Sequence, residues 1–97
     1  MDQIVTAGSR LDATTVGALR GRLDEAIGSG SGPLVLDLGA VQTVDATGLG
    51  MLLGVERRAA GAQRELLLRD VPLRVARLLR ATGLSRVLRH EVPAVFI

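Results

Sequence analysis

The chain has 97 residues, of which 47% are hydrophobic and 23% are charged. This length predicts a single domain over residues 1–97, and the composition is that of a globular rather than a disordered protein. Because the chain contains no cysteine, disulfides, zinc–thiolate centres and iron–sulfur clusters are excluded.

The charge balance narrows the choice of partners. All 12 basic residues are arginine, and 10 acidic residues leave a net charge of only +2. With Phe96 as the only aromatic side chain, the chain lacks the basic and stacking surface that binds nucleic acid directly.

The N-terminus does not resemble a signal peptide, and no apolar stretch is long enough to cross a bilayer. We therefore expect a cytoplasmic protein without membrane insertion.

The N-terminal half predicts a strand, a helix and a second strand. Residues 4–7 form a short apolar run that is typical of a weak strand. Apolar side chains then recur at helical spacing over about residues 14–27, and Asp12 or Thr14 is expected to cap this helix. After a glycine- and serine-rich turn, residues 34–38 are almost continuously apolar, which is typical of a buried parallel strand.

The C-terminal half continues this alternation. A second helix is predicted from the segment 45–50 to about residue 60, with Gly61 just past its end. Residues 65–69 predict a further strand, and residues 72–82 predict a third helix. The segments expected to supply a final strand or extended tail are residues 87–88 and 92–97. Strands that alternate with helices favour right-handed crossovers, and so an α/β fold with a mainly parallel sheet.

Few residues are suited to catalysis. His90 is the only histidine, and it stands between two charged residues outside any catalytic motif, so we predict a solvated surface side chain. A single histidine without cysteine offers no metal site, and a P-loop needs a lysine that this chain lacks. The sequence therefore predicts a protein that is not an enzyme and has no cofactor or metal.

A loosened dinucleotide-binding pattern is the main rival interpretation. Gly48, Gly50 and Gly54 open the second helix, and Asp70 follows about twenty residues on. However, the third glycine is one residue too far along, and several residues separate the first glycine from the preceding strand. A small nucleotide-binding enzyme is thus the third-ranked hypothesis.

The segment 45–50 is the most informative part of the chain. Asp45, Thr47 and two glycines lie where a loop meets a helix, and the first N–H groups of a helix lack intrahelical partners. In one interpretation Thr47 caps the helix and the glycines allow close packing. In the other, Thr47 accepts a phosphoryl group that the positive end of the helix dipole favours. Two glycines in one turn also indicate that something approaches the backbone closely.

Several segments resemble the STAS domain, in particular that of the anti-sigma factor antagonists. The resemblance extends over about residues 5–90, and the similar segments are residues 11–16, 19–20, 35–38, 44–50, 52–53 and 82–84. It implies a STAS-like sheet with packed helices, here without the family's usual first strand and last helix. Such a truncation would leave a sheet edge exposed, and a homodimer through that edge is expected.

The resemblance also implies a partner switch. The antagonist binds an anti-sigma kinase, phosphorylation of the residue corresponding to Thr47 breaks the complex, and a phosphatase restores it. The partner-binding residues implied by the matching motifs are Arg10, Asp12, Asp45, Ala46, Thr47, Gly48, Leu49 and Gly50. Ala46 replaces a hydroxyl that many relatives carry, and Arg10 reverses the charge of the residue usual in the first loop.

An alternative within the same family is a STAS subunit of a lipid-transport or other membrane complex, which would dock the same helix start on an ATPase. Arg74, Arg77 and Arg80 are expected along one side of the third helix. They predict either a solvated face or a contact with an acidic groove or anionic lipid headgroups.

Overall fold

A computed structural model of the protein describes residues 3–91. The strands are β1 (Gln3–Thr6), β2 (Arg10–Leu11), β3 (Leu34–Asp37), β4 (Thr43–Val44), β5 (Leu66–Arg69) and β6 (Arg89–His90). The helices are α1 (Val16–Gly28), α2 (Ala46–Gly61) and α3 (Leu73–Ala81), and a 3-10 turn at Leu84–Arg86 follows α3.

The strands form two parallel ladders. The larger sheet has the order β1-β3-β5-β6, and β2 pairs separately with β4. All the pairings are parallel. Successive strands of the larger sheet are therefore joined by crossovers, as α/β connections require. The predicted α/β class with a mainly parallel sheet is confirmed.

The core lies between one face of the larger sheet and the helices. Leu34 and Leu36 of β3 and Leu66 and Leu68 of β5 alternate along their strands and are at most 1% exposed. They share one apolar cluster with side chains of all three helices, among them Leu19, Leu23, Leu52, Val55, Val75 and Leu79. Burial of each such side chain contributes about 1.5–3 kcal/mol, so this cluster supplies most of the stabilising free energy.

The start of α1 differs from the prediction. Neither Asp12 nor Thr14 caps the helix, because Thr15 is the N-cap residue and makes no side-chain cap. The Asp12 carboxylate instead accepts hydrogen bonds from the Thr14 N–H at 3.0 Å and from the Thr14 hydroxyl at 2.6 Å. Asp12 therefore fixes a turn that leads into the helix, which begins only at Val16.

The end of α2 and the last strand also differ. Gly61 is the last residue of α2 rather than the first beyond it, and the left-handed conformation falls on Gln63, with φ of 59°. Hydrogen bonds from the Ala62, Gln63 and Arg64 N–H groups close this helix end. The last strand is β6 rather than 87–88, and the predicted tail at 92–97 lies outside the described residues.

Within residues 3–91, β1 and β6 form the two edges of the larger sheet. A homodimer through such an edge stays a prediction.

His90 lies on β6 with its side chain exposed, as the sequence predicts.

Arg64 holds together the end of α1 and the turn before β3. It is only 6% exposed and is the one buried charged residue in the part of the chain that the structure describes. Its guanidinium donates to the carbonyl oxygens of Ala26, Ser31, Gly32 and Pro33 at 2.6–3.4 Å. The branched donor of arginine thus satisfies acceptors on two segments at once.

We predict that Arg64→Lys lowers the free energy of unfolding by about 2 kcal/mol, because an ammonium group cannot reach all of these carbonyls and leaves buried acceptors unpaired. Arg57→Lys, at an exposed position of α2, is the matched control and should change stability by less than about 0.5 kcal/mol. Urea denaturation of both variants measures the difference. Equal stabilities would contradict the role assigned to Arg64.

Candidate functional site

Asp45 caps α2 and ties it to the segment before α1. Its Oδ1 accepts a hydrogen bond from the Gly48 N–H at 2.9 Å, and its backbone oxygen accepts from the Leu49 N–H at 3.1 Å. Its Oδ2 accepts from the Ala13 N–H at 3.4 Å. The capping function that the sequence left open for Thr47 therefore belongs to Asp45.

Thr47 is the second residue of α2, and its side chain is exposed. Among residues 3–91, its hydroxyl makes no hydrogen bond with another side chain or with the backbone. The hydroxyl is thus accessible to a protein that approaches the beginning of α2. Because the first N–H groups of a helix carry a partial positive charge, a negative group at this position would be favoured locally.

Gly48 is required by a close approach of the backbone. A Cβ atom at this position would lie 2.0 Å from the carbonyl oxygen of Leu11, which belongs to β2. The same oxygen accepts a hydrogen bond from the Asp45 N–H at 3.2 Å. The expected close approach is therefore found at Gly48. At Gly50 a Cβ would meet no described atom within 4 Å.

This packing also bears on the dinucleotide-binding pattern. A nucleotide-binding turn uses glycine so that a pyrophosphate can approach the backbone. Here the space beside Gly48 is filled by the Leu11 backbone, so this glycine serves the packing of β2 on α2.

The Gly48→Ala variant should be destabilised by about 3 kcal/mol or more, because the new methyl group would overlap a backbone oxygen that cannot move without breaking the β2–β4 pairing. Gly50→Ala lies on the same helix in open space and should gain up to about 1 kcal/mol from helix propensity. Thermal and urea denaturation compare the two. Similar stabilities of the two variants would show that β2 can move away from the helix.

Arg10 and Asp12 form an ion pair in the loop before α1. The Arg10 Nε lies 2.8 Å from Asp12 Oδ2, and the Arg10 side chain is 60% exposed. Hydrogen bonds from the Thr14 hydroxyl and the Arg10 guanidinium lower the pKa of Asp12 to about 2. Arg10 thus presents a basic group to the solvent while it holds the loop carboxylate in place.

Stability should depend on Asp12 in acid. Its lowered pKa means that its contribution is fully present above its ordinary pKa of 3.8 and is lost as pH falls toward about 2. We predict that the wild type loses more stability between pH 5 and pH 2 than Asp12→Asn does, as measured by urea denaturation across this range. A parallel pH dependence of the two proteins would contradict the hydrogen-bonded geometry of this loop.

The β2–β4 ladder brings the two predicted partner-binding segments together. Arg10 pairs in register with Thr43, and Leu11 pairs with Val44. We call the resulting patch the Thr47 surface; its exposed residues are Arg10, Asp45, Ala46, Thr47 and Gly50, and Asp12 belongs to it as a partly buried residue. Gly48 and Leu49, which the resemblance also assigns to partner binding, are buried and support this surface from beneath.

A groove between α1 and α2 borders the Thr47 surface. We call it the α1–α2 groove; it has a volume of about 300 Å³ and is lined by Val16, Gly17, Arg20, Thr47, Gly50, Met51, Gly54 and Arg58. No single segment of the sequence predicts this groove. The signal for it is the repeat of glycines on the facing sides of both helices, which leaves space where side chains would otherwise meet.

The remaining candidate groups lie outside the Thr47 surface. Arg74, Arg77 and Arg80 are exposed on α3, and Arg74 donates to the Gln42 carbonyl at 2.9 Å.

Residues 3–91 contain no group of three side chains that could hold a metal ion. None of the helices in this range combines the length and the apolar content that crossing a bilayer requires.

Comparison with solved structures identifies similar folds. The anti-sigma factor antagonist SpoIIAA in its unphosphorylated form matches with a TM-score of 0.74 and 19% identity, over 93% of this chain and 79% of that chain. A proposed anti-sigma factor antagonist from Thermotoga maritima, tm1081, matches with a TM-score of 0.78 and 19% identity, over 94% of this chain and 81% of that chain. The NMR structure of TM1081 matches with a TM-score of 0.78 and 20% identity, over 91% of this chain and 71% of that chain.

A search of curated proteins finds no match. A family model described as "Mlab, STAS domain" matches residues 2–90. That match covers almost the whole chain, and the mixed α/β fold with its parallel sheet and three helices agrees with the similar solved structures. The chain belongs to the STAS domain family.

Proposed function

We propose that this protein is an anti-sigma factor antagonist that binds an anti-sigma serine/threonine kinase through the Thr47 surface and is released when Thr47 is phosphorylated. The observation that carries the proposal is the exposed Thr47 hydroxyl, which α2 does not need because Asp45 caps the helix. On this account the protein acts in the cytoplasm as one domain and catalyses nothing itself.

The kinase and a phosphatase carry the chemistry. In the forward step the Thr47 Oγ1 forms a bond to the γ-phosphorus of ATP, the bond from that phosphorus to the β-phosphate oxygen breaks, and ADP leaves. The hydroxyl proton passes to a base of the kinase. In the reverse step the phosphatase transfers the phosphoryl group to water and restores the hydroxyl.

Charge explains why phosphorylation would break a complex. The modification adds about −1.5 to −2 charges at neutral pH to a residue that was small and neutral. Asp45 and Asp12 already place carboxylates on the same surface. A partner that packs closely on the unmodified threonine would have to desolvate the new dianion beside these carboxylates, which is costly unless it brings cations.

The shape of the Thr47 surface also supports a protein partner. Ala46, Thr47 and Gly50 are small and exposed, so another chain can approach the α2 backbone closely. Arg10 at the edge offers a cation to an acidic group of the partner. A polar, solvent-accessible rim around a centre with few charges is the usual arrangement of a protein interface.

The comparisons support this assignment through the descriptions of the similar structures. SpoIIAA is named as an anti-sigma factor antagonist whose unphosphorylated form was solved, and the Thermotoga maritima protein is described as a proposed antagonist. A chain with this fold and an accessible hydroxyl at the start of α2 is suited to the same kind of switch.

The direct test is binding of the candidate anti-sigma kinase from the same genome to immobilised wild-type, Thr47→Ala and Thr47→Glu proteins. We expect Thr47→Ala to retain the kinase, because the interface loses only a hydroxyl. Thr47→Glu should weaken binding at least tenfold, because it introduces a charge at the centre of the interface.

Ser85→Glu is the matched control for added charge, because Ser85 is exposed on the 3-10 turn outside the Thr47 surface. It should bind the kinase like the wild type. Equal binding by Thr47→Glu and Ser85→Glu, or no binding by any of the proteins, would contradict the proposed switch.

A second candidate function is that of a STAS subunit that docks on the ATPase of a membrane complex. The observation that favours this second function is the description of the matching family model, which names Mlab rather than the antagonists. The two functions differ in their partner. Binding to a transporter ATPase from the same genome, with equal affinity for wild type and for a protein phosphorylated at Thr47, would favour the second.

A further inference from the structure

The α1–α2 groove holds more positive than negative charge. Asp24 Oδ1 lies 2.6 Å from the Arg58 Nε, while Asp24 Oδ2 lies 3.7 Å from the Arg20 Nε. One carboxylate thus faces two guanidinium groups, and the shorter contact goes to Arg58. The positive charge of Arg20, whose side chain is 60% exposed, is only weakly compensated.

Arg58 adds a second sign of an unused donor. Its guanidinium folds back over Gly54, where an added Cβ would lie 3.1 Å from Nη1. Its Nη2 is buried and makes no hydrogen bond within residues 3–91. The groove therefore contains a buried N–H donor as well as the loosely held Arg20.

Helices α1 and α2 run side by side in the same direction, because each connects two parallel strands of one sheet. The contact of Asp24 with Arg58 therefore places Arg20, one turn earlier, beside Gly54. Thr47 lines the same groove about two turns, roughly 10 Å, before Gly54. Helical side chains lean toward the N-terminus, so Arg20 can extend along the groove toward Thr47.

We propose that Arg20 binds the phosphate on phosphorylated Thr47 within the same molecule, so that the α1–α2 groove is the receptor of the modification. This inference rests on the proposed function, because it assumes that Thr47 is phosphorylated. Arg20 and Thr47 both line this groove, so an extended arginine side chain and a phosphothreonine can approach each other along it. Arg20 would exchange its weak contact with Asp24 for a charge-assisted contact with a dianion, while Arg58 retains Asp24.

The contact has a consequence for the partner. Phosphorylation would then close the groove as well as charge the Thr47 surface, and a partner side chain could no longer enter between α1 and α2. The charged groups facing the phosphate would be Arg20 and Asp24 from α1, Arg58 from α2 and Asp45 at its cap.

The test needs no kinase. Phosphothreonine is introduced at position 47 during translation, and the second ionisation of the phosphate is followed by ³¹P NMR between pH 4 and pH 8. In an Arg20→Gln background we expect the phosphate pKa to rise by about half a unit or more, because the neighbouring cation that favours the dianion is lost. Arg22→Gln is the matched control on the exposed side of α1 and should leave the pKa unchanged.

Two results would overturn the inference. One is an identical phosphate pKa in the Arg20→Gln and Arg22→Gln proteins, with circular dichroism confirming that both are folded. The other is a rise caused by Arg10→Gln alone, which would place the phosphate over the loop instead of the groove. Neither result bears on partner binding, which the Thr47 variants test separately.

Discussion

The contact between the Leu11 carbonyl and Gly48 is the constraint on which the site depends. The oxygen lies so close to the α2 backbone that no side chain fits at position 48, and it also accepts the Asp45 N–H. Together with the Asp45 cap, this contact fixes the loop of Arg10 and Asp12 against the start of α2. Thr47, the neighbour of Gly48, is exposed, and its hydroxyl makes no hydrogen bond within residues 3–91.

The sequence predicted the architecture well because its periodicity reports burial directly. The continuous apolar run of β3 and the helical spacing in α1 reflect a central strand and a helix packed on one side. Helix ends were less accurate, since they depend on which group forms the last hydrogen bond. Asp12 has the composition of a cap yet forms a turn, and the left-handed position fell on Gln63 instead of Gly61.

The candidate site was predicted in part. The position of Thr47 at a helix start follows from the motif. The motif does not show whether Asp45 or Thr47 caps the helix, because either side chain could do so. The buried Arg64 and the α1–α2 groove are each formed by segments about thirty or more residues apart, and the glycines that line the groove indicate it only once the two helices are placed side by side. Such features require the relative placement of helices, which periodicity alone does not give.

In the proposed switch, charge at one accessible hydroxyl controls a protein complex. The most direct measurement is the calorimetric affinity of one partner for the unmodified protein and for the protein carrying phosphothreonine at position 47, at low and at high salt. We expect the affinity to fall at least a hundredfold on phosphorylation and salt to reduce the difference, because salt screens the repulsion between charges. Equal affinities for the two forms would contradict it.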